Sequence, residues 1–450
     1  MKDSIDFGSM EIPRLFRKLL IPTVLGMVFS AAFVITDGIF VGRGVGSDAL
    51  AAVNITAPLF LINTGVGLMF GVGASVVASI HLAHGKVKTA RINVTQAVVV
   101  SSLLLVAYSL VICLFAPGAA RLLGSSERLM PLVLEYMYWF VPFLPFSALL
   151  SSGMFFVRLD GAPNYAMLCN AVPAVINIAL DYVFIFLFGW GMFGAALATS
   201  LGYVVGAGMI LAYLSRRRNV IRFCRVKTSR RSLRLTRRNV GYMCRLGLST
   251  FLCEGAIAAM MFTGNYVFIR YLGEDGVAAF SIACYFFPII FMVYNAIGQS
   301  AQPILSYNFG AGNGARVRKA FRLALLTAVA AGLGFFGLTA LFSRWIVAMF
   351  IDSSCPACAI AVRGLPLFAS GFVFFAVNIV SIGYFQSVER PRPAMAVTVL
   401  RGFVFMAACF FGLPLLLGVE GIWLAVPLAE ALTFAVVAAI YGRTCLKSAF

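Results

Sequence analysis

Twelve long apolar runs separated by short breaks constrain this 450-residue chain more than any other feature. They lie at 15–40, 49–82, 93–117, 131–156, 163–188, 192–214, 241–270, 276–308, 319–343, 358–385, 394–417 and 421–442. About 20 apolar residues carry a helix across the hydrocarbon core of a bilayer, and every run is at least that long. In lipid each backbone polar group must bond within the chain, which leaves helices and closed barrels as spanning structures. A barrel would show segments of about ten residues with alternating polarity, and none occur. Composition closes the soluble alternative: 61 % of residues are apolar, 11 % are charged, and mean hydropathy is +0.96. A water-covered globule needs roughly a quarter of its residues charged. The expected fold is therefore an all-α membrane protein of twelve transmembrane helices.

The net charge of +19 invites a nucleic-acid reading, but the placement of the bases argues against it. Nucleic-acid binders cluster Lys and Arg on a folded face. Here the bases occupy the short breaks, as the positive-inside rule expects of a membrane protein. With a cytoplasmic amino terminus, the inner segments hold 28 of the 35 Lys and Arg. The outer loops hold six (Arg43, Arg121, Arg128, Arg270, Arg344 and Arg363), and Arg401 falls inside span 11. Both termini are expected in the cytoplasm, with the chain in the plasma (inner) membrane. The first span is too long for a signal peptide, carries Asp37 and lacks an A-x-A site, so it is retained as a helix. The inner segment from Ser215 to Val240 has eleven bases and no acid. It reads as a solvated linker that also touches anionic lipid head groups.

Shifted by 227 residues, the chain partly overlays itself. Arg43, Gly46, Asp48, Ala51, Ala52 and Ile55 meet Arg270, Gly273, Asp275, Ala278, Ala279 and Ile282 without a gap. Gly71 meets Gly298, Gly85 meets Gly312, and Gly194 meets Gly421. Low-complexity apolar sequence matches Ala and Leu by chance, but not Arg, Gly and Asp in register. The expected organisation is a six-helix lobe over 1–214, a basic linker over 215–240 and a second lobe over 241–450. Six is even, so the repeats enter the membrane in the same direction and are related by an axis along its normal. Two such bundles leave a cleft and suit alternating access, which carriers need.

An ionisable group at the bilayer centre costs about 2.5–3.5 kcal/mol on insertion scales, so each one marks a candidate site. Asp37, Asp181, Glu254 and Glu430 fall well within spans, while Glu135 lies near one end of span 4, where an interface or salt bridge accounts for it. Asn177 precedes Asp181 by four residues, so both project from one helix face. Asp37 lies late in span 1, on the same outer side of the membrane as the late part of span 5. Two carboxylates and an amide suit a hard cation such as Na⁺, which prefers oxygen ligands. They equally suit a proton held between two acids whose charges repel, and the structural alternative is a hydrogen-bond network between helices. At offset 227, Asp37, Asn177 and Asp181 meet Gly264, Val404 and Ala408, so the dense polar cluster belongs to the first half alone. Glu254, in span 7, is expected beside the cleft between the halves. A pairing of Glu254 with Arg245 or Arg270 would have to reach across nine or sixteen residues, roughly 14 or 24 Å of helix. Glu430 follows Pro427 in span 12 and suits packing and function equally.

These residues resemble those of the MATE (multidrug and toxic compound extrusion) family. The resemblance rests on Asp37-Gly-Ile-Phe-Val41-Gly ahead of Leu50-Ala-Ala, the Asn177/Asp181 pair, Gly194-Ala-Ala-Leu-Ala-Thr199, Glu254, and Gln302-Pro303-Ile-Leu-Ser-Tyr-Asn308-x-Gly310-Ala. It covers nearly the whole chain. It implies two six-helix lobes and efflux of small amphipathic, often cationic compounds in exchange for H⁺ or Na⁺. It also adds Tyr136 and Thr199 to the cation-coupling set of Asp37, Asn177 and Asp181. Should Na⁺ be the coupling ion, Asp37, Asn177 and Asp181 are its expected ligands. Some members carry a further acid in helix 10, but 358–385 has none. Asn378 is the polar candidate there, and Glu254, Asn378 and Gln302 form the expected substrate-side set of the second lobe. The missing acid tilts the expected coupling ion toward H⁺.

Other signals carry less. Cys355-Pro-Ala-Cys358 has no second CxxC or His pair, so a short outer-loop disulfide is preferred to zinc. His81 and His84 read as interfacial. Gly67-x-x-x-Gly71 and Gly202-x-x-x-Gly206 more often bring helices of one chain together than mark a dimer, so a monomer is expected. No phosphate-binding GxxxxGK[ST] motif occurs, so no ATP drive, no enzymatic activity and no cofactor beyond the coupling ion are expected. A secondary antiporter of amphipathic compounds leads. A flippase of lipid-linked precursors or polysaccharide would need a basic central cavity, and an ion channel would need a filter.

Overall fold

A computed structural model of the chain describes residues 5–226, 229–350 and 356–447. Those residues are nearly all helical, and no strand occurs among them. The helices of the first half are α1 (Ile12–Gly44), α2 (Ser47–Ala83), α3 (Val87–Leu114), α4 (Met130–Leu159), α5 (Pro163–Leu187) and α6 (Gly191–Ser215). A helix of 81 residues then runs from Arg230 to Gly310, roughly 120 Å and about four hydrocarbon thicknesses. It cannot be one span. Gly273 breaks it with φ 64° and ψ −154°, giving α7 (230–272) and α8 (274–310). Next come α9 (Gly314–Ala348) and α10, a bent pair of Pro356–Ala369 and Phe372–Ser387 that turns by 45°. The stretch from Pro391 to Gly442 breaks at Gly418 with φ 59°, into α11 (391–417) and α12 (419–447). Nine of the described helices are long and apolar enough to cross a membrane, ten with the bent pair. The two glycine breaks bring the crossings to twelve. The chain is an integral membrane protein.

The repeat is written in the turns. Gly46 and Gly273 (φ 123° and 64°), Gly85 and Gly312 (71° and 70°), and Gly191 and Gly418 (55° and 59°) all sit in left-handed backbone, and each pair is 227 residues apart. A side chain at such a φ clashes with its own carbonyl, so glycine recurs wherever the twin connections need that geometry. Between the fourth and fifth helices of each half the register is one residue longer. There Gly161 (φ 80°) matches Glu389 (φ 55°), and Pro163 opens α5 as Pro391 opens α11.

By compactness the chain divides into two units, 1–251 with 306–313, and 252–305 with 314–450. In the first unit α1 packs on α5 and α2 on α4. Gly67 and Gly71 let α2 lie against α4: an added Cβ would sit 2.9 Å from the Ala148 Cα and 2.8 Å from the Ser152 Cα. Gly206 does the same for α6, 2.9 Å from Pro173 of α5. Both small-residue motifs are thus spent inside the lobe, as expected of them.

The unit boundary differs from the expected break at 215–240. The first turns of α7 stay with the first unit: Gly247 meets the Met69 carbonyl oxygen of α2 at 1.9 Å from its would-be Cβ, and Gly73 meets that of Met243 at 2.0 Å. The Gln96 amide of α3 donates to the Thr236 hydroxyl at 2.8 Å. The basic segment is no free tether either. The Ile221 amide donates to Asp160 at 2.6 Å, the Phe223 amide to the Leu214 carbonyl at 2.9 Å, and Arg91 Nε to the Val220 carbonyl at 2.8 Å. Ser229 then caps α7 by accepting from the Ser232 amide at 3.3 Å. Arginines are good helix formers, and no Gly or Pro interrupts 230–240, so the helix starts eleven residues before the apolar run.

Candidate functional site

The acids of the first unit meet where three helices converge. Pro173 removes a backbone donor from the middle of α5, and the helix loosens into a π-turn over Tyr182–Leu187 directly after Asp181. A Cβ added at Gly202 of α6 would sit 3.5 Å from the Asn177 Cβ, ordinary contact that packs α6 on this part of α5. Thr199 of α6 lies against Asn177 of α5, and Asp37 of α1 meets Thr199 and Asp181. The Asn177 amide donates to the Thr199 hydroxyl at 3.4 Å, and the Thr199 hydroxyl donates to Asp37 Oδ1 at 3.1 Å. Asn177 and Asp181 are fully buried.

The donors in this chain run out before the acceptors do. Both carboxylate oxygens of Asp181 and the Oδ1 of Asn177 are buried without a hydrogen-bond partner. The Asp37 and Asp181 carboxyls lie within mutual reach. Two carboxylates are both acceptors and cannot bond to each other unless one holds a proton or a cation bridges them. No Lys, Arg or His pairs with either acid among the described residues. Tyr136 of α4 is buried within electrostatic range of both acids, and the half-buried Tyr203 of α6 is within range of Asp37. Their rings and those of Phe60 and Phe140 pack with centroids 4.9–6.5 Å apart, which keeps the donor-poor cluster in apolar surroundings. All five residues of the expected coupling set therefore come together. Tyr203 is an addition, hidden in the sequence as one aromatic among many.

The second unit arranges its charges differently. Arg401 of α11 donates from Nε to Glu430 Oε1 of α12 at 2.6 Å, and both side chains are buried. The Asn378 amide of α10 donates to Glu430 Oε2 at 2.8 Å and to the Glu430 carbonyl at 2.9 Å. The guanidinium also lies 4.4 Å from the Phe375 ring centroid. The grouping of Asn378 with Glu254 and Gln302 is not what the structure builds. Asn378 is bound to Glu430, Gln302 is buried on α8, and Glu254 is half-buried with no hydrogen bond or ion pair among the described residues. The signal in the sequence was Arg401 and Glu430 on either side of the Gly418 turn, where an antiparallel hairpin brings opposite charges to similar depth. The Cys355–Cys358 pairing lies outside the described residues, since Cys355 is among those left out.

Comparison with known proteins follows the same outline. A family model for MatE matches residues 22–183 and 254–410, one block in each half. A FAD transporter of Shewanella oneidensis is 26 % identical over 337 residues, covering 72 % of this chain and 71 % of its own. The multidrug export protein MepA of Staphylococcus aureus is 22 % identical over 423 residues, covering 92 % and 89 %. Among solved structures, a multidrug resistance MATE transporter in an outward-facing conformation superposes with TM-score 0.86 at 22 % identity, covering 100 % and 99 % of the two chains. A Vibrio cholerae MATE transporter mutant gives 0.87 at 19 % identity, covering 97 % and 98 %. At such identities the structural likeness speaks for the fold, twelve helices in two lobes. The family match spans most of the chain, and it carries the conclusion: this chain belongs to the MATE family, whose members are transporters rather than enzymes.

Proposed function

We propose that the chain is a secondary active antiporter that exports small amphipathic, often cationic compounds in exchange for H⁺ by alternating access. One observation carries this reading: a pair of acids, Asp181 buried and Asp37 half-buried, with both Asp181 oxygens and the neighbouring Asn177 Oδ1 orphaned and no basic partner among the described residues. Such a cluster is costly unless it takes up a cation. A coupling cation that binds in one conformation and leaves in the other supplies the differential affinity that shifts a two-state carrier. Asp37 and Asp181 would hold the proton, Asn177 and Thr199 would orient the carboxyls, and Tyr136 would close the pocket. The oxygen set also fits Na⁺, with Asp37, Asn177 and Asp181 as its ligands. Glu254, half-buried and unpaired, would attract cationic cargo. The positive-inside pattern supports both termini in the cytoplasm, in the plasma membrane, and the use of Gly67, Gly71 and Gly206 inside the lobe supports a monomer among lipids.

The Shewanella oneidensis relative is named for FAD, which favours a second reading of the cargo as a flat anionic cofactor. The test is dye efflux in everted vesicles under an imposed pH or Na⁺ gradient, with a cationic dye and with FAD. Gradient-driven movement of the cationic dye is expected. Movement driven by neither gradient contradicts antiport, and movement of FAD alone overturns the cargo assignment.

A further inference from the structure

The first turns of α7 dock one face on the first unit and leave a basic face uncovered. On the docked side Met243 and Gly247 are buried against α2, and Thr236 and Asn239 bond to Gln96 of α3 at 2.8 and 3.4 Å. On the other side Arg230, Arg231, Arg234, Arg237, Arg238 and Arg245 are all exposed. None of them makes an ion pair or a side-chain hydrogen bond among the described residues. The sequence holds no acid between Asp181 and Glu254. Outside the described residues the only acids are Asp3 and Asp352, too few to answer six arginines.

The repeat shows that the scaffold does not itself demand this face. Helix α1 starts at Ile12, whose twin at offset 227 is Asn239, so α7 starts nine residues earlier than its twin. Arg230 and Arg238 stand where the first half has Asp3 and Glu11. The sign of the charge is inverted on an equivalent element. Orientation in the membrane calls for bases in inner segments, but not for a line of them along one helix.

Arg234, Arg238, Gly241 and Arg245 follow one another at intervals of four, three and four residues, so they share one side of the helix. A Cβ added at Gly241 would meet nothing within 4 Å, which leaves an open notch between Arg238 and Arg245. Arg245 lies among the first residues of its apolar run, as its twin Lys18 does in span 1. From there to Arg238 is about 10 Å of helix. The line therefore rises from the edge of the hydrocarbon through a headgroup layer about 5–8 Å thick. Tyr242, 39 % exposed, stands beside the notch, as amphipathic rings do at headgroup level.

We propose that this face is a binding site for an anionic phospholipid of the inner leaflet, its phosphate seated over Gly241 between Arg238 and Arg245. Guanidinium forks match phosphate oxygens in pairs, and the missing side chain at 241 lets the phosphate approach both. Arg234 and Arg237 add to the attraction from further out. A soluble phosphate would find the same arginines, but only a lipid is held at this depth by its chains. The site does not depend on which ion or cargo is moved.

The test titrates purified, delipidated full-length protein in detergent with phosphatidylglycerol or phosphatidylcholine of matched chain length, and counts bound lipid by native mass spectrometry. The wild type is expected to bind phosphatidylglycerol saturably and at least about tenfold more tightly than phosphatidylcholine. Arg238→Gln combined with Arg245→Gln is expected to weaken that binding about thirtyfold, since each arginine at an anionic surface contributes about fivefold. Gly241→Glu gives both arginines a carboxylate three and four residues away, and is expected to abolish the lipid preference while raising the unfolding midpoint. Arg230→Gln with Arg231→Gln, beyond the headgroup layer, is expected to change affinity by less than about twofold. Equal binding of the two lipids by the wild type, or a preference that survives in Gly241→Glu, overturns the proposal. Displacement of the lipid by equimolar glycerol phosphate would assign the arginines to a soluble phosphate and overturn it too. If the double variant does not fold, Gly241→Glu decides.

Discussion

Each half of this protein buries carboxylates in the membrane, and the two halves treat them in opposite ways. In the second unit Glu430 receives a resident cation, Arg401, at 2.6 Å and an amide from Asn378, so its charge is answered within the protein. In the first unit Asp37 and Asp181 face each other, the Thr199 hydroxyl donates to Asp37, and no basic side chain pairs with either acid among the described residues. A charge that is answered internally has no reason to exchange with solvent. One that is not must draw its partner from outside, and it can release that partner when the surroundings change. The repeat makes the contrast sharper, because the scaffold is shared and only the chemistry differs. At offset 227 Arg401 meets Ala174 and Glu430 meets Tyr203.

The largest expected effect breaks the first unit's pair. Asp37→Asn and Asp181→Asn should each lower gradient-driven efflux by about a hundredfold, the loss of about 3 kcal/mol at a charged hydrogen-bonding site. Expression and thermal stability should stay near wild type, because an amide fills the same space. Normal transport in either variant would remove that residue from the coupling set.

The same operation on the second unit should act on folding instead. Arg401→Ala leaves the Glu430 carboxyl buried without its cation and should cost about 3–5 kcal/mol of stability. Arg401→Met combined with Glu430→Leu should cost far less, since no charge is stranded. Thermal unfolding in detergent reads both. A single variant as stable as the double would mean that the pair does not serve as an internal counter-charge.

A smaller effect is expected where α2 crosses the start of α7. Gly247→Ala would place a methyl group 1.9 Å from the Met69 carbonyl oxygen, so the helices must part, at about 1–3 kcal/mol of stability. An unshifted unfolding midpoint would show that the crossing tolerates separation. Smallest is Glu254→Gln, which should lower the export of cationic dyes by a few-fold more than that of neutral ones, since the lost attraction is about 1 kcal/mol in a wet site. Equal losses for both classes would give Glu254 a coupling role.

Much of this could be seen in the chain beforehand, for identifiable reasons. Hydrophobic length places the spans, because the bilayer imposes one number on every helix. The four-residue spacing of Asn177 and Asp181 puts them on one face, and the repeat shows that their cluster has no copy. Other features depend on contacts between distant residues and leave no periodic mark. The attachment of the first turns of α7 to the first unit, through Gln96 and Thr236, joins residues 140 apart. The pairing of Arg401 with Glu430, and of Asn378 with Glu430 rather than with Glu254 and Gln302, depends on the α11–α12 hairpin, which no local spacing marks. Tyr203 carries no signal of its own, because one aromatic among many does not stand out in such a sequence.

The contrast between the halves comes down to what the first unit's acids exchange with solvent. Two carboxyls at this distance in apolar surroundings do not both stay ionised cheaply, so one is expected to carry a proton near neutral pH. With no helix 10 acid to build a second oxygen cage, that proton is the expected driver. The direct measurement is efflux from sodium-free everted vesicles across a pH gradient, in the wild type and in Asp181→Asn. The account predicts full transport by the wild type without sodium and none by the variant. Wild-type transport that vanishes in sodium-free buffer and returns on adding sodium would contradict it.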